Sequence, residues 1–209
     1  MESTLAAPDF NSIISNLRDE ANAATWNLGY MKALLDNPLV PDKLGQSFSG
    51  YAMEVATAAV KRSLALYCAR AWDEDADAIS LPNATKWLPD PTDDKTKARR
   101  ERYLENFAKA AKDESRPSIR VFRTEWLAHR VINSKDRKKL EKLNPVVDIT
   151  LNDLVRCAEQ TIVLAGEIGF LGDGLANPFP ERIERVERYC REFWRVLPVL
   201  GDIENFEIG

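Results

Sequence analysis

Apolar side chains recur every three or four residues along most of the chain, which is the spacing expected of amphipathic α-helices. This pattern predicts a first long helix over residues 13–35, ended by Pro38, and a second over about 42–72. We find no convincing run of the strict alternation that marks a half-buried β-strand. We therefore expect an all-α chain, with these two helices in the core of an antiparallel bundle.

Residues that favour the N-cap position mark the starts of shorter helices. Ser80-Leu81-Pro82 predicts a helix that ends near Leu88, and Thr92-Asp93-Asp94 predicts one that ends near Lys112. A further helix is predicted to begin near Ser115-Arg116-Pro117 and to end around residue 133, followed by a lysine-rich loop.

Two more helices are predicted in the last third of the chain. Thr150-Leu151-Asn152-Asp153 is a capping-box variant that starts one of them, and we expect the glycines between Gly166 and Gly174 to dissolve it. Pro178-Phe179-Pro180-Glu181 starts the last helix, over about 180–197, which we expect to pack on the body or on a dimer partner. Its apolar side is formed by Ile183, Val186, Cys190, Phe193 and Leu197.

These elements are interpreted as one domain over residues 1–209, a bundle of about five to seven helices whose core covers about 10–170. The composition agrees, because 44% of the residues are hydrophobic and 30% are charged, as in ordinary globular proteins. No apolar run reaches the roughly 18–20 residues that a membrane helix needs. The first residues lack the basic and apolar parts of a secretory signal, so we expect a cytoplasmic protein that does not bind membranes.

Three widely spaced cysteines and a single histidine do not form the ligand patterns of zinc sites. We expect Cys68, Cys157 and Cys190 to serve as small apolar core residues, without a structural disulfide. The sequence predicts no bound metal and no cofactor.

The net charge of −4 is unevenly distributed along the chain. From Lys95 to Lys142 there are 16 lysines and arginines against 7 acidic residues, a local charge of +9, and the remainder carries 13 against 26, or −13. Such a basic segment would attract a phosphate backbone. The alternative is a set of helices whose charged faces are only solvated.

His129, the only histidine, lies in this basic segment, six residues after Arg123. Imidazole is the one side chain whose ordinary pKa is near neutrality, so His129 is the candidate for proton transfer. The permanent cation of Arg123 is suited to holding a phosphate. The alternative is a partly buried histidine beside Phe122 and Trp126 that makes one hydrogen bond and has no chemical role.

On an ideal helix, Arg123 and His129 are about 9 Å apart along the axis and a third of a turn apart around it, too far for a side-by-side pair. Either the helix breaks before His129 or a second copy completes the site. We favour a two-fold homodimer that gathers both residues of each copy around one cleft. An apolar stripe beside the motif contains Ile119, Phe122 and Trp126, and an arginine stripe contains Arg116, Arg120, Arg123 and Arg130.

The run Arg123-Thr124-Glu125-Trp126-Leu127-Ala128-His129-Arg130 resembles the R-x-x-W-L-A-H-R form common in the HEPN superfamily of small helical bundles. Two other patches, Ser63–Asp73 with Ile79–Pro82 before the motif and Ile149–Leu154 after it, resemble the abortive-infection U branch of that superfamily, the AbiU2-like proteins. The three patches occur in the expected order, and the resemblance covers roughly residues 10–170.

This resemblance implies a dimeric, metal-independent endoribonuclease of a toxin or anti-phage system, with an antitoxin protein as a further partner. His129 would take the proton from a ribose 2′-hydroxyl or protonate the leaving oxygen. Arg123 would hold the scissile phosphate, and cleavage would leave a 2′,3′-cyclic phosphate. Contacts that position RNA phosphates without reading bases would come from Arg116, Arg120, Thr124 and Arg130.

Two positions depart from the family pattern. Thr124 stands directly after the arginine, where the family often has Asn, Asp or His, and Val131 stands where members paired with a nucleotidyltransferase antitoxin carry Tyr. The second departure argues against that mode of control. Two other functions therefore stay open: a non-catalytic module that binds a nucleotide, RNA or a protein partner, and a structural protein whose basic segment contacts its own acidic parts.

Overall fold

The computed structural model describes residues 10–36, 48–117, 119–120, 150–174 and 176–196, and this part of the chain is helical without β-strands, as predicted. Residues 115–117 and 119–120 form the start of a further helical segment. No helix in the described ranges is long and apolar enough to cross a membrane. The helices with described bounds are α1 (Phe10–Leu35), α2 (Phe48–Ala71), α3 (Leu81–Lys86), α4 (Asp94–Ala111), α5 (Leu151–Asp173) and α6 (Phe179–Val196).

Helix α1 lies at the centre and packs most extensively against α5 and α6, with α2 on a third side. Helix α5 in turn contacts α2 and α4. The buried side of α1 has the predicted three-and-four spacing, because burial of an apolar stripe is what stabilises an amphipathic helix in a bundle. That stripe consists of Ile13, Leu17, Ala21, Ala24, Leu28 and Met31.

The capping residues read from the sequence begin their helices as predicted. The side chain of Ser80 accepts a hydrogen bond from the backbone of Asn83 at the start of α3. Asp93 accepts one from the backbone of Thr96 at 2.7 Å at the start of α4. Thr150 caps α5 in the same way, with 3.1 Å between its Oγ1 and the Asp153 nitrogen. Each cap satisfies a backbone N–H that has no partner within its own helix.

The expectation that glycines dissolve α5 after Gly166 is wrong. The helix continues to Asp173 and ends at Gly174, whose φ of 73° is the left-handed C-cap conformation that glycine adopts without steric cost. The glycines inside the helix are instead places of close packing. A β-carbon at Gly166 would overlap the side chain of Asn177, and one at Gly172 would overlap Ile14 of α1.

The apolar side of α6 is only partly as predicted. Ile183 and Val186 are buried, but Phe193 is 53% exposed, and Trp194 with 7% exposure takes the inward position. The ring of Trp194 lies edge-on to Tyr30 of α1, with 5.3 Å between the centroids. This contact between two large rings orients the end of α6. Leu197 lies outside the described residues, and Cys190 is half-buried.

Helices α1 and α6 pack closely at Gly29. A β-carbon there would lie 3.0 Å from the backbone nitrogen of Glu187 and would collide with Val186. We expect Gly29→Ala to lower the free energy of unfolding by about 1–3 kcal/mol, because two helix backbones must move apart. Urea denaturation followed by circular dichroism measures the change.

Gly169→Ala is the matched control for this prediction. A β-carbon at Gly169 meets only the Cδ and neighbouring atoms of the Arg18 side chain, which is flexible. The gain in helix propensity of about 1 kcal/mol therefore offsets much of the crowding. Equal losses in the two variants would contradict the assignment of Gly29 as the backbone contact.

Candidate functional site

The structure describes two of the six residues that the sequence nominates for the site. Arg116 and Arg120 belong to the helical segment after α4. Its first turn has the predicted two-sided character, because Ile119 is buried and Arg120 is exposed. The remaining nominated residues, Arg123, Thr124, His129 and Arg130, lie outside the described residues.

Arg116 and Arg120 line a cavity of about 650 Å³ at one end of the bundle. Its walls come from three places: the end of α2 with the loop that follows, the end of α4 with the helical segment after it, and the second turn of α5. The segment that leads toward Arg123 and His129 thus starts in the cavity wall. The charged and sulfur-bearing lining residues are Cys68, Asp73, Glu74, Asp75, Lys112, Asp113, Glu114, Arg116, Arg120 and Cys157.

Arg116 is held by three contacts in this wall. Its guanidinium carbon lies 4.0 Å from the centroid of the Trp72 ring, which is a cation–π contact. Its Nη1 donates a 2.6 Å hydrogen bond to the carbonyl of Ala111, while its buried Nε has no hydrogen-bond partner in the described part of the chain. Burial lowers the pKa of Arg116, and the negative charges around it, Glu74 and Asp113 among them, oppose that shift. The side chain therefore stays a cation with a fixed orientation.

Trp72 connects the elements around the cavity. Its indole Nε1 donates a 2.9 Å hydrogen bond to the hydroxyl of Thr161 on α5. One face of its ring stacks on Phe107 of α4, with 5.2 Å between centroids, and Arg116 contacts the ring as well. A single buried side chain at the end of α2 thus joins α2, α4, α5 and the segment that begins at residue 115.

Asp113 fixes the point at which that segment begins. Its carboxylate accepts hydrogen bonds from the backbone and the hydroxyl of Ser115, and it pairs with Arg156 of α5, whose Nε lies 3.1 Å away. Burial alone would raise the pKa of Asp113, but the hydrogen bonds from Arg156 and Ser115 lower it below its ordinary value. The carboxylate is therefore ionised at neutral pH and attaches the start of the segment to α5.

A family model whose description is AbiU2, of the HEPN group, matches residues 7–193 of the chain. The chain belongs to the HEPN AbiU2 family. The match includes all of α1 to α5, nearly all of α6, and the run from Arg123 to His129. The comparisons find no match to a curated protein and none to a solved structure.

The cavity of this HEPN protein is less basic than the surrounding sequence suggests. Among its described lining residues, five carboxylates face three cations. The acidic members come mainly from the loop after α2, where Asp73, Glu74 and Asp75 lie outside the basic segment of the sequence. In the folded protein, these three acidic residues therefore line the same cavity as Arg116 and Arg120.

Trp72, Asp113 and Arg156 are the positioning residues that sequence reasoning misses. Trp72 stands in one of the family-like patches, yet nothing near it in sequence indicates a contact with Arg116. Asp113 and Arg156 are 43 residues apart, so no local pattern connects them. The available signal is Asp113 two residues before Ser115, which is a common arrangement for starting a helical turn.

The ion pair of Asp113 makes part of the folded-state stability depend on pH. Because the pKa of Asp113 is lowered by folding, its contribution is complete above the ordinary value of about 3.9 and is lost as pH falls through the lowered pKa. We expect Asp113→Asn to reduce the free energy of unfolding by about 1–2 kcal/mol at neutral pH, a figure that allows for the exposure of Arg156. Urea titrations of both proteins at several pH values measure this gap, which should narrow below about pH 4.

The matched control is Asp77→Asn in the loop after α2, where the carboxylate is exposed. This change should leave the free energy of unfolding within about 0.5 kcal/mol of the wild-type value at every pH. A gap for Asp113→Asn that stays constant from neutral to acidic pH would show that the charge of Asp113 does not stabilise the fold.

Proposed function

We propose that this chain is a metal-independent endoribonuclease of a toxin or anti-phage type, with Arg123 and His129 forming a composite site across a homodimer. The observation that carries the proposal is membership of the HEPN AbiU2 family over residues 7–193, a range that includes the Arg123-to-His129 motif. The local charge of +9 between residues 95 and 142 supports RNA as the substrate, because a polyanion is drawn to such a segment.

In the proposed reaction, the ribose 2′-oxygen attacks the adjacent phosphorus while the bond to the 5′-oxygen of the next nucleotide breaks. His129 acts as the general base toward the 2′-hydroxyl, or as the general acid toward the leaving oxygen. Arg123 stabilises the charge that builds on the non-bridging oxygens. The products are a 2′,3′-cyclic phosphate and a free 5′-hydroxyl.

We assign the other nominated residues to contacts with phosphates away from the cleaved bond. Arg120 is exposed at the cavity and extends the basic side of the segment toward the motif. Arg116 is held by Trp72 and Ala111, so it presents a fixed cation at the cavity wall. Thr124 and Arg130 complete the proposed contacts to RNA. Such contacts position the strand without selecting a base sequence.

A dimer surface is assigned to the exposed apolar residues where α2 begins and α6 ends. On α2, Tyr51 is 60% exposed and Val55 is 70% exposed, and on α6, Tyr189 and Phe193 are more than half exposed. Phe193 contacts Trp194 of a small buried cluster formed with Ala33 and Leu34, and Met53 of α2 and Cys190 of α6 pack against that cluster. Large apolar side chains grouped on a surface are typical of protein interfaces, and we assign this one to a second copy of the chain.

The main test is cleavage of RNA by purified protein in the presence of a chelator. Wild-type protein should cut RNA to products with cyclic phosphate ends, and His129→Ala should lower the cleavage rate by about 10²–10⁴-fold. Arg123→Ala should cause a loss of similar size, because it removes charge stabilisation in the transition state. The matched control is Arg185→Ala, which removes an exposed arginine of α6 outside the motif and should leave the rate unchanged.

A wild-type protein that cuts no RNA and harms no cell when overproduced would overturn the nuclease proposal.

One observation favours the non-catalytic alternative. Arg116 packs against Trp72, and the cavity around it has more carboxylates than cations. In that case RNA affinity that falls steeply with salt identifies RNA as the ligand, because bound phosphates release counterions. Binding to a ligand with an affinity that does not change with salt identifies that ligand as a protein partner.

The dimer surface has a test of its own in Val55→Asp. A carboxylate in the middle of an apolar interface should dissociate the dimer and, with it, abolish the composite site. Helix content should stay at the wild-type value, because Val55 is 70% exposed in one copy. Sedimentation velocity, circular dichroism and the RNA cleavage rate are measured on the same sample. Trp87→Asp changes another exposed apolar residue, 61% exposed at the end of α3, and should leave the protein dimeric. A dimeric Val55→Asp protein would show that this face is not the interface.

A further inference from the structure

Two of the three cysteines meet inside the bundle. Cys68 lies near the end of α2 and Cys157 in the second turn of α5, with exposures of 1% and 2%. Their side chains are in hydrogen-bond contact with each other, and both also interact with the Thr161 side chain. Cys190 on α6 is half-buried and belongs to a different cluster. All three cysteines are free thiols in this structure.

The paired thiols are reachable although they are buried. Both line the 650 Å³ cavity that also contains Arg116 and Asp113. A small oxidant such as hydrogen peroxide fits easily into a cavity of this size. Both cysteines therefore belong to the buried core and border the cavity at the same time.

The surroundings give the two sulfurs different chemical roles. The hydrogen bond with Cys68 lowers the pKa of Cys157 against the effects of burial and of the nearby Asp113 carboxylate, and Thr161 and the charge of Arg116 assist. The same hydrogen bond, together with burial, raises the pKa of Cys68. Since the thiolate is the reactive form, we assign the attack to Cys157, which also has the Arg116 cation nearby, and the closing step to Cys68.

We propose that Cys68 and Cys157 are a peroxide-reactive pair that closes to a reversible disulfide between α2 and α5. The Cys157 thiolate attacks one peroxide oxygen, the O–O bond breaks, and the sulfur becomes a sulfenic acid as one water leaves. The sulfur of Cys68 then attacks the sulfenic sulfur, a second water leaves, and the S–S bond forms. Two thiols are oxidised by two electrons in total, and one peroxide is reduced to two waters.

The disulfide would act on the wall of the candidate site. Cys68 is four residues before Trp72, and Cys157 directly follows Arg156, the partner of Asp113. The bond would therefore fix the relative positions of the two residues that hold the start of the motif segment. This inference stands on the cysteines alone and does not depend on ribonuclease activity.

The test uses the full-length wild-type protein treated with a small excess of hydrogen peroxide under native conditions. Free thiols are alkylated before and after reduction, and intact mass and peptide mapping identify the linked residues. We expect the loss of the mass of two hydrogens, a Cys68–Cys157 cross-link, full reversal by dithiothreitol and a raised melting temperature. Three alkylated thiols after peroxide treatment, or a cross-link through Cys190, would overturn the proposal.

Two variants sharpen the assignment of roles. Cys190→Ser is the matched control and should form the cross-link as readily as wild-type protein. Cys68→Ser should stop at the sulfenic acid of Cys157, which a dimedone label followed by peptide mapping detects. A dimedone label on Cys68 in a Cys157→Ser protein, with none on Cys157 in Cys68→Ser, would reverse the roles and contradict the proposed order. The mapping of the wild-type protein decides the pairing even if a variant fails to fold.

Discussion

The arrangement around the cavity depends on the burial of Trp72. A buried indole needs a hydrogen-bond partner for its N–H, and the Thr161 hydroxyl supplies one while the ring stays stacked on Phe107. Thr161 in turn donates to the carbonyl of Cys157 at 2.6 Å, so the tryptophan is anchored to the backbone of α5. Arg116 then rests on the same ring. The position of the residues from 115 to 120 that the structure describes therefore depends on this aromatic side chain and its polar partner, together with the pair of Asp113 and Arg156.

The fold could be predicted from sequence wherever local physics decides the structure. The capping side chains of Ser80, Asp93 and Thr150 bond to backbone within three residues, so their helices start where expected. The local sequence predicts a helix break at Gly166 and Gly172, but each glycine instead makes room for a side chain from another part of the bundle. Propensity alone assigns glycine to a break, whereas close helix packing can require it inside a helix.

The sequence predicts which residue types form the candidate site, but it does not predict which residues surround them. The basic segment predicts Arg116 and Arg120 on the polar side of Ile119; Arg120 is exposed there, whereas Arg116 is half-buried against Trp72. What no linear pattern contains is the acidic loop at 73–75 that folds against these arginines. Nor does it contain the pair of Asp113 and Arg156, which joins two helices that are separated by the whole motif segment. Such long-range pairs follow from the packing of α2, α4 and α5.

The mixed charge of the cavity bears on how an RNA site could be assembled here. Within one copy, the carboxylates near Arg116 reduce the potential that a phosphate experiences, since charges of opposite sign at similar distance cancel. Five carboxylates against three cations line the cavity, and three of the five come from the loop at residues 73–75. The described lining of the cavity therefore has an excess of negative charge, although the segment from residue 95 to 142 carries +9 in the sequence. The described cavity by itself is therefore a poor match for an RNA phosphate backbone and a better one for a small uncharged molecule such as a peroxide, so an RNA site needs further cations, which the proposed function takes from Arg123 and Arg130.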